Sequence, residues 1–94
     1  MGRQDASAKA GWEAFAVQLG HNLQQARVGR SMTQGSVAYR AGLTRYTYQM
    51  YELGKAQSQG PANPTLRILL ALSQVLEVPL HELLPSDVPD VTTR

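Results

Sequence analysis

The stretch that decides the fold is residues 34–53, which read QGSVAYRAGLTRYTYQMYEL. The small side chain of Ala38 lets two helices approach each other closely. Four residues later stands Gly42, and glycine takes the positive φ of a tight turn at little cost. Thr33 and Thr44 precede the two halves, and a threonine hydroxyl can cap the first turn of a helix. The pattern therefore predicts two short helices joined by a tight turn at Gly42.

The second of these helices has distinct inner and outer faces. Tyr48 and Tyr51 stand three residues apart and are expected to face inward, with Leu53 as a further candidate. Four side chains then remain on the outer face: Arg45, Tyr46, Gln49 and Met50. A slim helix with such a face and an exposed N-terminus suits the major groove of duplex DNA. The stretch thus predicts a helix-turn-helix.

The surrounding sequence predicts three more helices and no strand. Apolar residues spaced three and four apart predict a first helix from about Gly11 to about Val28. Asn63 followed by Pro64 is typical of a helix start, because proline's missing N–H is harmless in the first turn. The fold class is therefore all-α, with five helices. We expect three parts: a flexible segment 1–10, a helix-turn-helix domain 11–85 and a flexible acidic tail 86–94. Within the domain, residues 55–63 are expected to form an exposed loop, followed by helices 64–76 and 79–84.

Composition excludes several classes of protein. With 94 residues the chain forms one domain with a modest core. It contains no cysteine, which excludes disulfides and thiolate metal sites, and its two histidines lack metal-ligand spacing. It has no apolar run long enough to span a membrane and no stretch of signal-peptide type, so a cytoplasmic location is expected. We expect no cofactor and no metal.

Charge is distributed unevenly along the chain. The formal net charge is only +2, but residues 27–67 carry six arginines and lysines against the single acid Glu52. Residues 77–90 carry four acids and no lysine or arginine. Such a dipolar molecule can turn one face toward a polyanion.

Residues 19–84 resemble the Cro- and phage-repressor-type helix-turn-helix family, also called XRE-like. The order and spacing of the matching pieces make the resemblance specific. The matching pieces are Leu23, Arg27, Met32-Thr33-Gln34, Val37-Ala38, Ala41-Gly42-Leu43-Thr44-Arg45, Glu52, Gly54-Lys55, Asn63-Pro64-Thr65-Leu66 and the closing run ALSQVLEVPLHELL. The resemblance implies a repressor-like DNA-binding domain.

The resemblance also implies roles for individual residues. At the positions that reach base edges in this family, the sequence has Arg45, Tyr46, Gln49 and Met50. Gln34 and Lys55 stand at phosphate-contacting positions, and Thr33, Arg30 and Arg40 are further candidates for phosphate contacts. Arg27 and Glu52 match a pair that forms an internal salt bridge, and Gly42 matches the turn. No catalytic residue is expected.

Three features depart from the family's pattern. Tyr48 and Tyr51 stand where the family has aliphatic residues, and Leu53 stands where a polar residue is usual. The 55–63 loop is longer than usual; it either reaches along the DNA backbone or is disordered, and we expect disorder. The first helix starts early, and its Trp12 and Phe15 extend the core or form a dimer contact.

The function expected from these residues is regulation of transcription. The leading hypothesis is a repressor that binds a near-palindromic site on double-stranded DNA as a homodimer. Its dimer contact is expected on helices 64–76 and 79–84 or in the Trp12/Phe15 region. The alternative is an antitoxin-type module that binds both DNA and a partner toxin protein. An enzyme is not expected, since Ser, His and Asp residues are scattered and no phosphate-binding glycine loop is present.

Overall fold

The computed structural model describes residues 2–93 of the chain, and their side chains from residue 10 onward. Five helices follow one another: α1 (Gly2–Gly29), α2 (Gln34–Arg40), α3 (Arg45–Glu52), α4 (Leu66–Leu76) and α5 (Leu80–Leu83). Within residues 2–93 extended pairing is confined to one isolated bridge between Lys55 and Pro61. The predicted all-α fold with five helices is confirmed.

Helix α1 is longer than the apolar spacing predicts. It starts at Gly2 rather than near Gly11, so most of the segment 1–10 expected to be irregular is helical. Residues 3–10 read RQDASAKA, and alanine, lysine, arginine and glutamine all favour a helix without needing an apolar face. The flexibility of this segment stays a prediction.

Helices α2 and α3 begin at the predicted threonines. The Thr33 hydroxyl accepts a hydrogen bond from the amide of Ser36 at 3.0 Å, and the Thr44 hydroxyl accepts one from the amide of Thr47 at 3.1 Å. Between the helices Gly42 has a φ of +76°, the left-handed conformation that the turn requires. Local interactions of these residues therefore define the starts of α2 and α3 and the turn between them.

Helix α4 begins later than the sequence predicts. Its N-cap is Thr65, whose hydroxyl accepts from the amide of Ile68 at 3.1 Å, rather than Asn63. Thr65 has an extended backbone, so its hydroxyl reaches the third amide of the helix, as a cap must. Pro64 consequently lies just before the helix and not in its first turn. The end at Leu76 agrees with the expected 64–76, and α5 lies inside the expected 79–84.

One core joins all five helices. Its fully buried members include Leu23 of α1, Val37 of α2, Tyr48 of α3, Leu72 of α4 and Leu83 of α5. Leu53, expected as a further inward residue of α3, is instead 53% exposed. It is the C-cap of α3, where the chain leaves the helix, so it no longer follows the helical spacing of Tyr48 and Tyr51.

The 55–63 loop is closed by its own backbone, in contrast to the expected disorder. The amide of Ala56 donates to the carbonyl of Gly60, and the amide of Ala62 donates to the carbonyl of Gly54, both at 2.9 Å. Ala62 is buried. These bonds satisfy backbone groups that a disordered loop would leave to water.

The C-terminal segment runs back over α1. Pro85 is buried, and a Cβ placed on Gly11 would lie 2.9 Å from Cβ of Pro89. The Asp90 carboxylate accepts hydrogen bonds from the amide and the hydroxyl of Thr92. Whether residues 86–94 are flexible stays a prediction.

Within residues 2–93 no helix is both long enough and apolar enough to cross a lipid bilayer.

Candidate nucleic-acid interface

Helix α3 presents two different faces. Tyr48 and Glu52 are buried, whereas Arg45 and Tyr46 are exposed, Tyr46 to 55%. Gln49 and Met50, one turn later, are half-buried. The four side chains predicted to reach base edges therefore all keep some exposed surface on one short helix. Within residues 10–93 the side chains of Arg45, Tyr46 and Gln49 form no hydrogen bond, in contrast to those of Thr44 and Thr47 on the same helix start, so their polar groups are available to a ligand.

The C-terminal end of α3 lies directly against the backbone of α1. A Cβ placed on Gly20 would lie 2.7 Å from the carbonyl oxygen of Tyr51 and closer still to that of Glu52. Just beyond the helix, Gly54 has a φ of +75° and would meet Val17 in the same way. Two glycines thus allow α1 to hold α3 at backbone distance.

A buried ion pair fixes the tilt of α3 relative to α1. Arg27 Nε donates to Glu52 Oε2 at 2.6 Å, and its Nη2 donates to Oε1 at 3.1 Å, a bidentate arrangement. The two side chains are only 14% and 5% exposed. Arg27 Nη1 also donates to the carbonyl of Met32, which ties the same guanidinium to the segment before α2. One arginine therefore links three parts of the chain.

Gln34 joins this cluster. Its Nε2 donates to Glu52 Oε1 at 2.9 Å, so the first residue of α2 contacts the last residue of α3. Burial by itself would raise the pKa of Glu52, but hydrogen bonds from Arg27 and Gln34 and the charge of Arg27 lower the pKa below its ordinary value of 4.5. Glu52 is thus held as a carboxylate.

Tyr48 lies beside the same pair. Its ring is fully buried, and its hydroxyl has no hydrogen-bond partner within residues 10–93. Burial raises the pKa of Tyr48 far above its ordinary value, and the nearby Glu52 carboxylate adds to the effect. The tyrosine at this aliphatic position of the family therefore acts as a large core residue with a neutral hydroxyl.

The predicted phosphate-contacting residues have unequal freedom. Arg40 and Lys55 are exposed and form no ion pair with the side chains of residues 10–93. Arg30 instead donates to Glu77 at 2.9 Å, in an exposed pair that phosphate could displace at small cost. Thr33 caps α2 and Gln34 is bonded to Glu52. Arg40 and Lys55 are therefore the strongest candidates.

Two contacts near this surface were missed by sequence reasoning. Gln57, in the 55–63 loop, donates from Nε2 to Oγ1 of Thr47 on α3 at 3.1 Å. Trp12 donates from its indole nitrogen to the carbonyl of Ala62 at 3.2 Å. A lone glutamine in a polar loop carries no sequence signal, and for Trp12 the sequence indicates an extension of the core or a dimer contact rather than a bond to this loop.

No candidate metal site is found between residues 10 and 93, since no three His, Asp or Glu side chains there lie close enough together to hold a metal ion. A cleft lies between α1 and residues 81–89, with Phe15 and His81 among its walls, and α3 contributes no lining residue to it.

The sequence is similar to known helix-turn-helix proteins. Residues 23–83 match the family model described as Helix-turn-helix. The chain is 33% identical over 66 residues to the uncharacterized HTH-type transcriptional regulator YqaE of Bacillus subtilis (strain 168). That match covers 70% of this chain and 52% of the relative, so the chain spans about half the length of that protein.

A solved structure shows the same arrangement of helices. The restriction-modification controller protein C.AhdI from Aeromonas hydrophila is similar with a TM-score of 0.64 and 27% sequence identity. The superposition covers 74% of this chain and 97% of that one. With the family model covering well over half of the sequence, the chain belongs to the XRE-type helix-turn-helix family.

Proposed function

We propose that this protein is a transcriptional repressor that binds a near-palindromic DNA site as a homodimer, in the cytoplasm. The observation that carries the proposal is the outer face of α3, where Arg45 and Tyr46 are exposed while Tyr48 and Glu52 of the same helix are buried. A helix fixed from one side and open on the other can enter the major groove without rearrangement.

The outward side chains suit the reading of base edges. Arg45 can form a bidentate contact with guanine, and Gln49 can do the same with adenine. Met50 offers an apolar surface to a thymine methyl group, and Tyr46 stacks or donates a hydrogen bond. Arg40 and Lys55 on either side contact phosphates, with Thr33, Gln34 and Arg30 as further contacts, and so set the position of the helix on the duplex.

The dimer contact is best placed on α4. Leu66 and Leu70 lie one turn apart on this helix and are 65% and 42% exposed, an apolar stripe that faces away from the core. In the alternative region Trp12 is bonded to Ala62 and stacked on Phe15, with ring centroids 5.5 Å apart, and both side chains are half-buried, so they offer less free apolar surface than Leu66 and Leu70. A stripe on α4 that meets its own copy gives the two-fold symmetry that a palindromic site requires.

We expect substitution at two exposed arginines to separate base reading from phosphate contact. Arg45→Ala should cost about 1–3 kcal/mol of discrimination between the selected site and variants with a changed base. Arg40→Ala should weaken binding to all duplexes alike and reduce the slope of log affinity against log salt by about 1. The site is first obtained by selection from a random duplex library, and affinities are then measured by fluorescence anisotropy. Equal losses on every sequence for Arg45→Ala would contradict base reading.

The dimer is tested independently. We expect Leu70→Glu to yield a monomer that retains its helical circular dichroism, because the side chain is exposed in the single chain but buried between two copies. Sedimentation equilibrium of the wild type and the variant gives the two masses. Gln25→Glu, which adds the same charge at an exposed residue of α1, outside the proposed contact on α4, is the control. A wild-type monomer at the concentrations that saturate DNA would contradict the dimer.

A further inference from the structure

The base of the 55–63 loop is attached to the N-terminal half of α1. Trp12 donates to the carbonyl of Ala62, which is itself buried, and Trp12 is stacked on Phe15. The early start of α1 and the long loop are two separate departures from the family's pattern. In the structure they contact each other, so the added part of the helix supports the added part of the loop.

The other side of the loop is attached to α3. Gln57 Nε2 donates to the hydroxyl oxygen of Thr47, and the Thr44 hydroxyl donates to the same oxygen at 2.9 Å. Thr44 is the N-cap of α3. A side chain of the loop is therefore connected through one hydroxyl to the start of the helix that is proposed to read DNA.

The loop also borders the outer face of α3. Met50 of that face shares a shallow open cleft with Lys55, Gln57 and Ser58 of the loop. The three loop residues are exposed, and the chain contains no acidic residue between Glu52 and Glu77. The surface beside Met50 thus offers an ammonium, an amide and a hydroxyl with no carboxylate from its own segment.

We propose that the 55–63 loop is a second DNA-contacting arm, held in place by the Gln57–Thr47 hydrogen bond. This rests on the proposed function of α3. Lys55 and Ser58 donate to sugar-phosphate oxygens beside the groove that α3 enters, and Gln57 is the positioning residue. A loop with a closed backbone and attachments on both sides loses little entropy when it binds, so its contacts add to affinity.

The test breaks one hydrogen bond from either side. Gln57→Ala removes the donor and Thr47→Val removes the acceptor, and we expect each to weaken binding to the selected site about two- to tenfold. Thr47→Val also removes the acceptor of the Thr44 hydroxyl, so the double variant should be no weaker than Thr47→Val alone, in which the Gln57 bond is already lost. The slope of log affinity against log salt should fall by up to about 0.9, and the hydroxyl-radical footprint should shorten on the loop side. Gln25→Ala, at an exposed glutamine of α1, should match the wild type.

The outcomes separate the two proposals. If the wild type binds its site and Gln57→Ala keeps the affinity, the salt slope and the footprint, the arm is disproved and the role of α3 stands. A loss of affinity with an unchanged salt slope and footprint also disproves the arm, since it means that Gln57 only stiffens α3. If the wild type selects no duplex at all, the proposed function fails and the arm fails with it.

Discussion

Gly20→Ala is expected to destabilise the protein by roughly 3 kcal/mol or more. The added methyl group would lie within 2.7 Å of the Tyr51 carbonyl oxygen and closer to that of Glu52, and both are backbone atoms that cannot rotate away. Either α3 moves off α1 or one of the helices bends. Movement of α3 would also stretch the Arg27–Glu52 pair, so the loss exceeds that of an ordinary packing defect.

Thermal and urea unfolding followed by circular dichroism measure this effect. For a domain of this size the expected loss corresponds to a decrease in Tm on the order of 15 °C. Gly29→Ala is the control, because nothing lies within 4 Å of a Cβ at this helical residue and alanine favours helices. Its stability should be unchanged or slightly raised. Equal stability of Gly20→Ala and the wild type would show that α1 and α3 are farther apart than described.

Glu52→Gln is expected to cost about 3 kcal/mol, since it leaves the Arg27 guanidinium charged and without its carboxylate in a buried position. The matched control is Glu77→Gln, which removes the carboxylate of the exposed Arg30–Glu77 pair and should cost less than about 1 kcal/mol. Urea unfolding at neutral pH compares the two. Similar losses for both variants would contradict the importance of burial at Glu52.

The pH dependence of folding stability tests whether the negative charge of Glu52 is what stabilises the protein. The pKa of Glu52 is lower in the folded state than its ordinary value of 4.5, so the unfolded chain binds this proton more readily. The stabilisation is complete above about pH 4.5 and is lost as the pH falls through the lower pKa of the folded state. The wild type should therefore lose more stability than Glu52→Gln between pH 5 and pH 3. Parallel pH profiles would contradict this account.

Local chemistry explains which parts of the fold are readable from the sequence. Thr33, Gly42 and Thr44 act on amides and dihedrals within a few residues of themselves, and the structure has the predicted caps and turn at all three. The start of α4 shows the limit of this reasoning. The sequence indicates Asn63 as the cap, whereas the structure has Thr65, whose extended backbone brings its hydroxyl to the amide of Ile68.

Contacts between distant segments explain what was missed. The 55–63 loop reads as disordered because its Gln, Ser, Gly and Pro residues have no apolar spacing. Its order depends on Trp12, 50 residues from Ala62, and on Gln57, 10 residues from Thr47. Gly20 likewise looks like an ordinary helix-weakening glycine until α3 is placed against it. Within the site, the outer face of α3 follows from helical spacing, whereas the bond between Gln34 and Glu52 does not.

The separation of buried and exposed residues along α3 has a consequence for how such a protein diversifies. Tyr48 and Glu52 are buried in the interior, while Arg45 and Tyr46 of the same helix are exposed. Exchanges at exposed positions shift stability by only about 0.5 kcal/mol. Under the proposed function, a lineage can therefore change its operator through the codons of exposed α3 residues, and an engineer can transplant foreign specificity onto the same scaffold without rebuilding its interior.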